Sequence, residues 1–339
     1  MFTVRIEPHA RDIGVRPGQN VLDAALAAGL NIPHSCKAGH CGSCRARLRS
    51  GEIRYPRGRP AGLTAAEAAQ GRVLLCQAEP ETDLVVDARL VARVPDVEIK
   101  RLPCRIAAKT LLAPDVLRVD LRLPAVEPLA FRAGQYLDVL LDGDRRRSFS
   151  IASPPHDAAL LELHVRRVDG GGFTQRLFDE LDVGALLRIE APIGQFAYER
   201  SEAPLLLVAG GTGFAPIKSI LRTELETGAV GGGTRPVHLF WGARQPVDVY
   251  EDSLLRRWAD AHPRLRYTAV LSEATTTDAA HQRLGWVHEV VLREYPAIAD
   301  CDAWVAGPPA LIDAARAAFT AAGLPAGRLR FDSFDYAPR

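Results

Sequence analysis

Four of the six cysteines carry a spacing that metal chemistry can use. Cys36, Cys41 and Cys44 stand at C-x4-C-x2-C, and Cys76 follows after 31 intervening residues. Four thiolates so placed are a ligand set for two irons bridged by sulfide, a [2Fe–2S] centre. A loop around such a centre must bring backbone N–H groups close to sulfur. Gly39 and Gly42 suit that task, because glycine accepts positive φ and carries no Cβ. Three other uses of grouped cysteines compete: a structural zinc site, a disulfide pair, or buried thiols. Zinc sites usually present paired C-x2-C knuckles, but only a single C-x2-C, Cys41 to Cys44, occurs here. Cys104 and Cys301 stand apart and read as small apolar packing residues.

Further along, three short motifs sit where strands should end. Arg147-Ser148-Phe149-Ser150 offers a cation for phosphate, two hydroxyls and a flat aromatic ring, the groups a flavin nucleotide requires. A plain strand would read the same way. Gly170-Gly171-Gly172-Phe173-Thr174 leads into a helical stretch, Gln175 to Leu181. Such a turn can present N–H groups to a pyrophosphate, and a flexible connector is the competing reading. Ala191-Pro192-Ile193-Gly194-Gln195-Phe196 alone means only a turn. Then Pro204 to Ala209, an unbroken apolar run, ends in Gly210-Gly211-Thr212-Gly213-Phe214-Ala215-Pro216 before a helix through Glu226. Strand, glycine turn and helix place a pyrophosphate on a helix N-terminus. The pattern is not G-x-G-x-x-G, so the usual dinucleotide fingerprint is absent.

These motifs need elements to hold them. Residues 1–95 alternate early (Thr3 to Ile6), turn at Arg16 to Gln19, and continue with a helix from an Asn20 cap to Gly29. After the cysteine loop come a strand at Cys44 to Leu48 and a short helix from Thr64, where Glu67 completes a capping box. Val73 to Cys76 and Asp83 to Val91 complete the segment. Val94 to Ile99 reads as a linker. Residues 100–200 carry short apolar segments between turns, at Cys104 to Lys109, Val116 to Leu121, Tyr136 to Leu141, Leu160 to Val165 and Leu186 to Glu190. That rhythm argues for an antiparallel barrel. Residues 203–339 alternate strands (Val237 to Trp241, Arg266 to Leu271, Asp302 to Ala306) with helices such as Leu254 to Ala261, which predicts a mainly parallel sheet. The expected class is therefore multi-domain, α+β followed by α/β.

Composition excludes more than it identifies. The 339 residues are 47% apolar and 24% charged with a net charge of +1, so no global field points to nucleic acid or to a membrane. No apolar run approaches a membrane span and the start lacks a signal-peptide core, so the expected location is the cytoplasm, where grouped cysteines more often bind metal.

The first segment resembles the β-grasp fold of plant-type ferredoxins. The later motifs resemble, in order and spacing, R-x-Y-S, G-G-x-x-T and G-P-x-G-x-F of the ferredoxin–NADP⁺ reductase superfamily. G-G-T-G-x-A-P is that superfamily's nicotinamide-domain signature. The resemblance spans essentially the whole chain. It implies a ferredoxin-like β-grasp domain, an antiparallel β-barrel flavin domain and a parallel-sheet nicotinamide domain. It implies FAD at Arg147, Ser148, Phe149 and Ser150, with Gly171, Gly172 and Thr174 at its phosphates. It also implies a nicotinamide cofactor at Gly210, Gly211, Thr212, Gly213, Arg244, Gly307 and Pro308, and the cluster on Cys36, Cys41, Cys44 and Cys76. Three departures stand out. Phe149 replaces the usual tyrosine, Ala306 replaces a cysteine, and Glu273 follows Ser272 where NADP-using relatives carry a serine–arginine pair. An acidic residue there favours NADH, because it repels a 2′-phosphate and accepts from a ribose hydroxyl.

The implied activity is electron transfer from NADH through FAD and the cluster to a partner protein, a dehydrase or an oxygenase component. Arg45, Arg47 and Arg49, in an arginine-rich stretch reaching Arg59, offer a docking surface for an acidic acceptor. A solvated strand face is the plain alternative. The aromatic tail, Arg330 to Ala337, offers Phe334 to the free flavin face, or packs against the sheet. Two other classes remain: a reductase of quinone or oxygen that needs no protein partner, and a binding module without turnover. The presence of all four cluster thiols disfavours the second.

Overall fold

The computed structural model describes every residue except 33, 35, 36, 38, 40, 41, 43, 61, 91–96, 126–128, 143–144, 169, 171, 228–234 and 335–339. Cys36, Cys41, His40, Gly171, part of the expected linker and the end of the aromatic tail therefore lie outside the described residues. Two compact units emerge, Met1–Asp96 and Val97–Arg339.

In the first unit, strand β1 (Phe2–Glu7) pairs antiparallel with β2 (Arg11–Val15), and helix α1 (Val21–Ala27) follows. The hairpin therefore turns between residues 7 and 11, not at Arg16 to Gln19, which instead leads from β2 into the helix. Asn20 caps α1 by accepting from the Asp23 N–H at 2.8 Å. Next come β3 (Arg45–Ser50), β4 (Ile53–Arg54), helix α2 (Ala65–Ala69), β5 (Arg72–Leu74), β6 (Glu79–Pro80) and β7 (Leu84–Asp87). The expected capping box on α2 is formed, with Thr64 and Glu67 each satisfying the other's backbone N–H. The main sheet runs β2-β1-β7-β3-β5, its β1–β7 pair parallel. Val4, Ile6, Val21, Leu22, Leu74 and Leu75 fill its core.

The second unit opens with β8 (Lys100–Ala113), β9 (Val116–Arg122), β10 (Tyr136–Leu140), β11 (Arg146–Ser150), β12 (Leu161–Arg166), helix α3 (Phe173–Asp179) and β13 (Leu186–Ile193). The antiparallel sheet runs β11-β10-β13-β8-β9-β12. Its two edges meet at an antiparallel bridge, Ile151 to Leu163, with the Ala152 N–H donating to the Glu162 carbonyl at 2.8 Å. That contact joins the edges into the expected barrel.

The remainder is β14 (Leu205–Gly210), α4 (Phe214–Thr227), β15 (Val237–Ala243), α5 (Asp252–Ala261), β16 (Leu265–Leu271), β17 (Gln282–Leu284), α6 (Val287–Glu294), β18 (Asp302–Gly307), α7 (Pro309–Ala321) and β19 (Leu329–Ser333). All pairs in its sheet, β17-β16-β15-β14-β18-β19, are parallel. Strand alternation splits β14 between two cores. Leu205 and Leu207 pack with Phe214, Ile217 and Leu221 of α4, whereas Leu206 and Val208 pack with Val290, Ile312 and Phe319 of α6 and α7. Every residue of β14 is buried, so the apolar run reads as it must for a central strand. Each buried leucine or valine there contributes roughly 1.5–3 kcal/mol relative to exposure. No helix among the described residues is long and apolar enough to cross a membrane.

Candidate functional site

The two described cysteines of the expected cluster set flank adjacent strands. Cys44 precedes β3 and Cys76 follows β5, and the pairing of Arg45 with Leu74 brings them to the same end of the sheet. The Leu75 N–H donates to the Cys44 carbonyl at 3.2 Å, and both cysteines are buried. Around them the loop is tied by backbone contacts. Gln77 donates to the Lys37 carbonyl at 2.8 Å and to the Cys76 carbonyl at 3.0 Å, and the Gly62 N–H donates to the Gly39 carbonyl at 2.9 Å. Gly39 has φ +83°, and a Cβ there would lie 2.8 Å from Pro60 and 2.9 Å from Gln77. Only glycine fits that position, so the cradle has the tightness a cluster loop requires and the described residues fit the group.

On the barrel, alternation along β11 divides the Arg147 motif. Arg147 and Phe149 share one face. Ser148 lies on the other, where its hydroxyl donates to Asp138 at 2.6 Å, so the motif's four side chains do not converge. The Arg147 guanidinium donates to the Arg146 carbonyl at 2.8 Å and meets no carboxylate among the described residues, leaving donors for a phosphate. Phe149 is half-buried, 5.9 Å from the Phe173 ring at the start of α3. Ser150 is buried at the strand end. Gly172 has φ +45° with open space where a Cβ would stand, and the Thr174 hydroxyl accepts from the Val168 N–H at 3.3 Å. A guanidinium with spare donors, a half-buried ring and open space at the glycine turn fit a flavin nucleotide.

At the carboxyl ends of β14, β15, β16 and β18 lies a cavity of about 590 Å³. Gly210, Gly211, Thr212, Arg244, Pro308 and Phe334 all line it. Next to this lining, the end of the glycine turn packs tightly on β18. A Cβ on Gly213 would lie 2.2 Å from the Ala306 carbonyl oxygen, and one on Gly307 would lie 3.1 Å from the Gly210 Cα. Gly211, at φ +54°, faces the Arg166 guanidinium. This is a dinucleotide-sized trough at the strand ends of a parallel sheet, the place where such sheets bind ligands. Glu273 is exposed and is not among the lining residues; its neighbour Ser272 is, and the Glu273 N–H donates to the Arg244 carbonyl at 3.0 Å. Phe334 reaches the trough because its N–H donates to the Gly307 carbonyl at 2.9 Å.

Arg166 and Trp286 are among the lining residues that escape sequence reasoning. Arg166 ends β12 on the barrel, yet lines the trough. Trp286, 59% exposed just before α6, also lines it. A Gly285-Trp286 pair before a helix was the available signal. Cys301 precedes β18, about 16 Å along the strand from Ala306 at ~3.3 Å per residue, so it stands at the wrong end of the sheet to replace the missing thiol.

Comparisons with known proteins match each part. Family patterns fit for a 2Fe-2S iron-sulfur cluster binding domain over residues 4–81, an oxidoreductase FAD-binding domain over 103–198 and an oxidoreductase NAD-binding domain over 207–317. The CDP-6-deoxy-L-threo-D-glycero-4-hexulose-3-dehydrase reductase of Yersinia pestis is 35% identical over 93% of this chain and 92% of its own. The terephthalate 1,2-dioxygenase reductase component 2 of a Comamonas species is 37% identical over 98% of both chains. The chain belongs to the iron–sulfur flavoprotein reductases. A solved member, the Amycolatopsis cytochrome P450 reductase GcoB, superposes with TM-score 0.73 at 34% identity, covering 98% of this chain and 99% of that one. As a member of this family, the protein is a nicotinamide-dependent oxidoreductase that uses FAD and a [2Fe–2S] cluster.

Proposed function

We propose that this reductase takes electrons from NADH and delivers them to a partner protein, with Arg147, Phe149, Ser150 and Thr174 serving the flavin and the Gly210–Gly213 turn serving the nicotinamide cofactor. The trough carries this reading, because its glycine lining and carboxyl-edge position suit a pyrophosphate and its Phe334 covers one end. When bound, the flavin accepts two electrons as hydride and releases them singly, and the cluster relays one at a time. The residues' task is positioning and exclusion of water. Arg147 would neutralise phosphate, Phe149 would press on the flavin ring, and Phe334 would shield the nicotinamide end. No side chain needs to exchange a proton in such a transfer. Ser148, bonded to Asp138, serves the strand and not the flavin in this reading. The four cysteines, Cys36, Cys41, Cys44 and Cys76, would hold the cluster. Glu273 would repel a 2′-phosphate at the rim beside Ser272, which makes NADH the donor.

The acceptor is read first as a pyridoxamine-dependent dehydrase of the deoxysugar type, following the resemblance to CDP-6-deoxy-Δ3,4-glucoseen reductase. Its D-S-F-D-Y-A support rests partly on residues 335–337, outside the described residues. An oxygenase component is the second reading, favoured by the equally similar dioxygenase reductase. For docking, the arginines separate by exposure and by pairing. Arg45 is largely covered and lies 3.4 Å from Glu67, and Arg49 pairs with Asp87 at 2.8 Å, whereas Arg47 is exposed on the same strand. Arg47, with Arg57 and Arg59, is the better docking candidate.

The test is anaerobic. Protein reduced by one equivalent of NADH is mixed with a purified dehydrase or with an oxygenase component, and cluster absorbance is followed. Rapid reoxidation by one of them identifies the acceptor class. Reoxidation only by quinone or oxygen refutes the partner reading.

A further inference from the structure

Lysine is rarely buried without a partner, yet Lys218 on α4 is only 3% exposed. Its ammonium donates to Glu162 Oε1 and to both carboxylate oxygens of Glu251, each at 2.8 Å. Glu162 belongs to the barrel edge strand β12, and Glu251 immediately precedes α5 of the sheet domain. His164, two residues along β12, meets the same Glu162 oxygen at 2.7 Å through Nε2, and its Nδ1 lies 3.0 Å from the Tyr250 hydroxyl. Arg118 stands 3.4 Å from the other Glu162 oxygen. One atom each of Glu162, His164 and Glu251 lie within 4.8 Å of one another, the arrangement of a cation cage. The Lys218 ammonium already fills it. Burial alone would raise the Glu162 carboxyl, but the His164 hydrogen bond and the Lys218 charge outweigh it and hold the group well below the usual carboxylate range.

Such a cluster is weak evidence for stability, since apolar residues of the same shape often serve as well. What hydrogen-bonded charges add is direction: an apolar contact can slide, and three charge-assisted bonds to an ammonium cannot. The helix concerned begins at Phe214, directly after Gly213, and Lys218 lies about 6 Å along it at 1.5 Å per residue. The next residue makes a second tie, the Ser219 hydroxyl donating to the Ser153 carbonyl of the barrel at 2.7 Å.

We infer that Lys218, with Glu162, His164 and Glu251, is a positioning device for hydride delivery: an internal cation that pins the first turn of α4, and with it the Gly210–Gly213 turn, to the barrel edge. The lever is short. A small slip of α4 moves the turn that carries the nicotinamide cofactor relative to the strand that carries the flavin face.

The inference rests on hydride passing from the trough to the flavin, and the experiment keeps the two failures apart. Full-length protein loaded with FAD and cluster is prepared as parent, Lys218→Met, Lys218→Arg and Glu251→Gln. Flavin retention, ADP-ribose affinity, flavin reduction at saturating NADH and amide hydrogen exchange over residues 210–222 are measured. In Lys218→Met, ADP-ribose affinity stays within about twofold of the parent while the limiting reduction rate falls about 100-fold, the scale of an ångström-sized misplacement. Exchange in the turn and the first turn of α4 rises. Lys218→Arg, which keeps the charge, recovers at least part of the rate. Glu251→Gln shows the same split at smaller amplitude and carries the test if the methionine variant does not fold. A parental rate and exchange pattern in Lys218→Met or Glu251→Gln overturns the inference. So does a proportionate loss of flavin and ADP-ribose binding, which marks a general structural role. A parent that does not reduce its flavin refutes the underlying reading instead.

Discussion

Gly213→Ala tests whether the close packing of the glycine turn on β18 depends on a missing side chain. The added Cβ would lie 2.2 Å from the Ala306 carbonyl oxygen, 2.5 Å from the Ala306 carbonyl carbon and 2.7 Å from the Gly307 nitrogen. All three are backbone atoms of β18, a buried strand paired on both sides with β14 and β19, so they cannot swing away as a side-chain tip would. To reach even 3.0 Å the turn must lift by at least 0.8 Å. Overpacking of this kind typically costs about 1–3 kcal/mol, occasionally more. For a unit the size of Val97–Arg339 each 1 kcal/mol corresponds to roughly 2–4 °C of melting temperature, so a loss of several degrees is expected. If the turn holds the nicotinamide cofactor as proposed, the larger effect is functional, because a misplacement near 1 Å is worth about 100-fold in rate.

The assay is anaerobic flavin reduction by NADH under single-turnover conditions, beside a melting curve and an ADP-ribose titration. Gly213 has no positive φ, so alanine meets no backbone penalty there and any effect reports steric contact alone. The expected outcome is weaker ADP-ribose binding, a reduction rate lower by about two orders of magnitude, and intact cluster absorbance. Parental affinity and rate in a variant of unchanged melting temperature would refute the backbone-contact account.

Arg47→Glu should slow cluster reoxidation by the protein acceptor several-fold and change its salt dependence, while flavin reduction by NADH stays at the parental rate; if both rates fall together, the docking assignment fails. Glu273→Arg should move the preference toward NADPH, read as the ratio of flavin-reduction rates with the two donors; an unchanged ratio removes Glu273 from specificity. His238→Gln addresses pH. Burial, with Arg266 and Arg283 nearby, pushes the His238 ring down to about 3. Glu294, 3.9 Å away, would favour the charged ring, but it is already paired with Arg266 at 2.9 Å and Arg283 at 3.7 Å. The folded chain therefore keeps His238 neutral while the unfolded chain takes a proton below about 6.5. Stability from this residue is lost as pH falls from about 6.5 toward 3, by roughly 3 kcal/mol at about pH 4.5. The melting temperature of His238→Gln should decline less steeply than the parent's over that range, and parallel curves would sink the assignment.

Local signals were readable in the sequence where one short segment determines its own structure. The Asn20 cap, the Thr64–Glu67 box and the β14 run each appear as expected, because capping and burial on both faces leave marks within a few residues. Elements that depend on a neighbour were not readable. Strand β17, Gln282–Leu284, has no apolar run and exists because β16 offers it an edge. Strand β19 lies inside what looks like an aromatic tail, and only its pairing with β18 makes it sheet. The opening hairpin shows the same limit. Pro17-Gly18 is a strong turn signal, but it serves the β2-to-α1 connection, while the hairpin turns earlier on residues that carry weaker cues.

The site divides along the same line, for a physical reason. Glycines that face backbone are marked by their own type, so the Gly210–Gly213 turn and Gly307 could be found one by one. Arg166, Trp286 and Lys218 matter through what lies across from them, on strands and helices far away in the chain, and a charged or aromatic residue alone does not say what it faces. Ala306 is the instructive position. Its carbonyl takes up the space a Gly213 Cβ would need, and its side chain is fully buried. Hydride transfer between two stacked rings requires distance and orientation more than it requires a thiol. A glycine turn packed on backbone and an α4 pinned through Lys218 would supply both, and neither depends on the side chain at 306. On this argument, restoring a cysteine there would gain little, because the chemistry is limited by how firmly the turn is held.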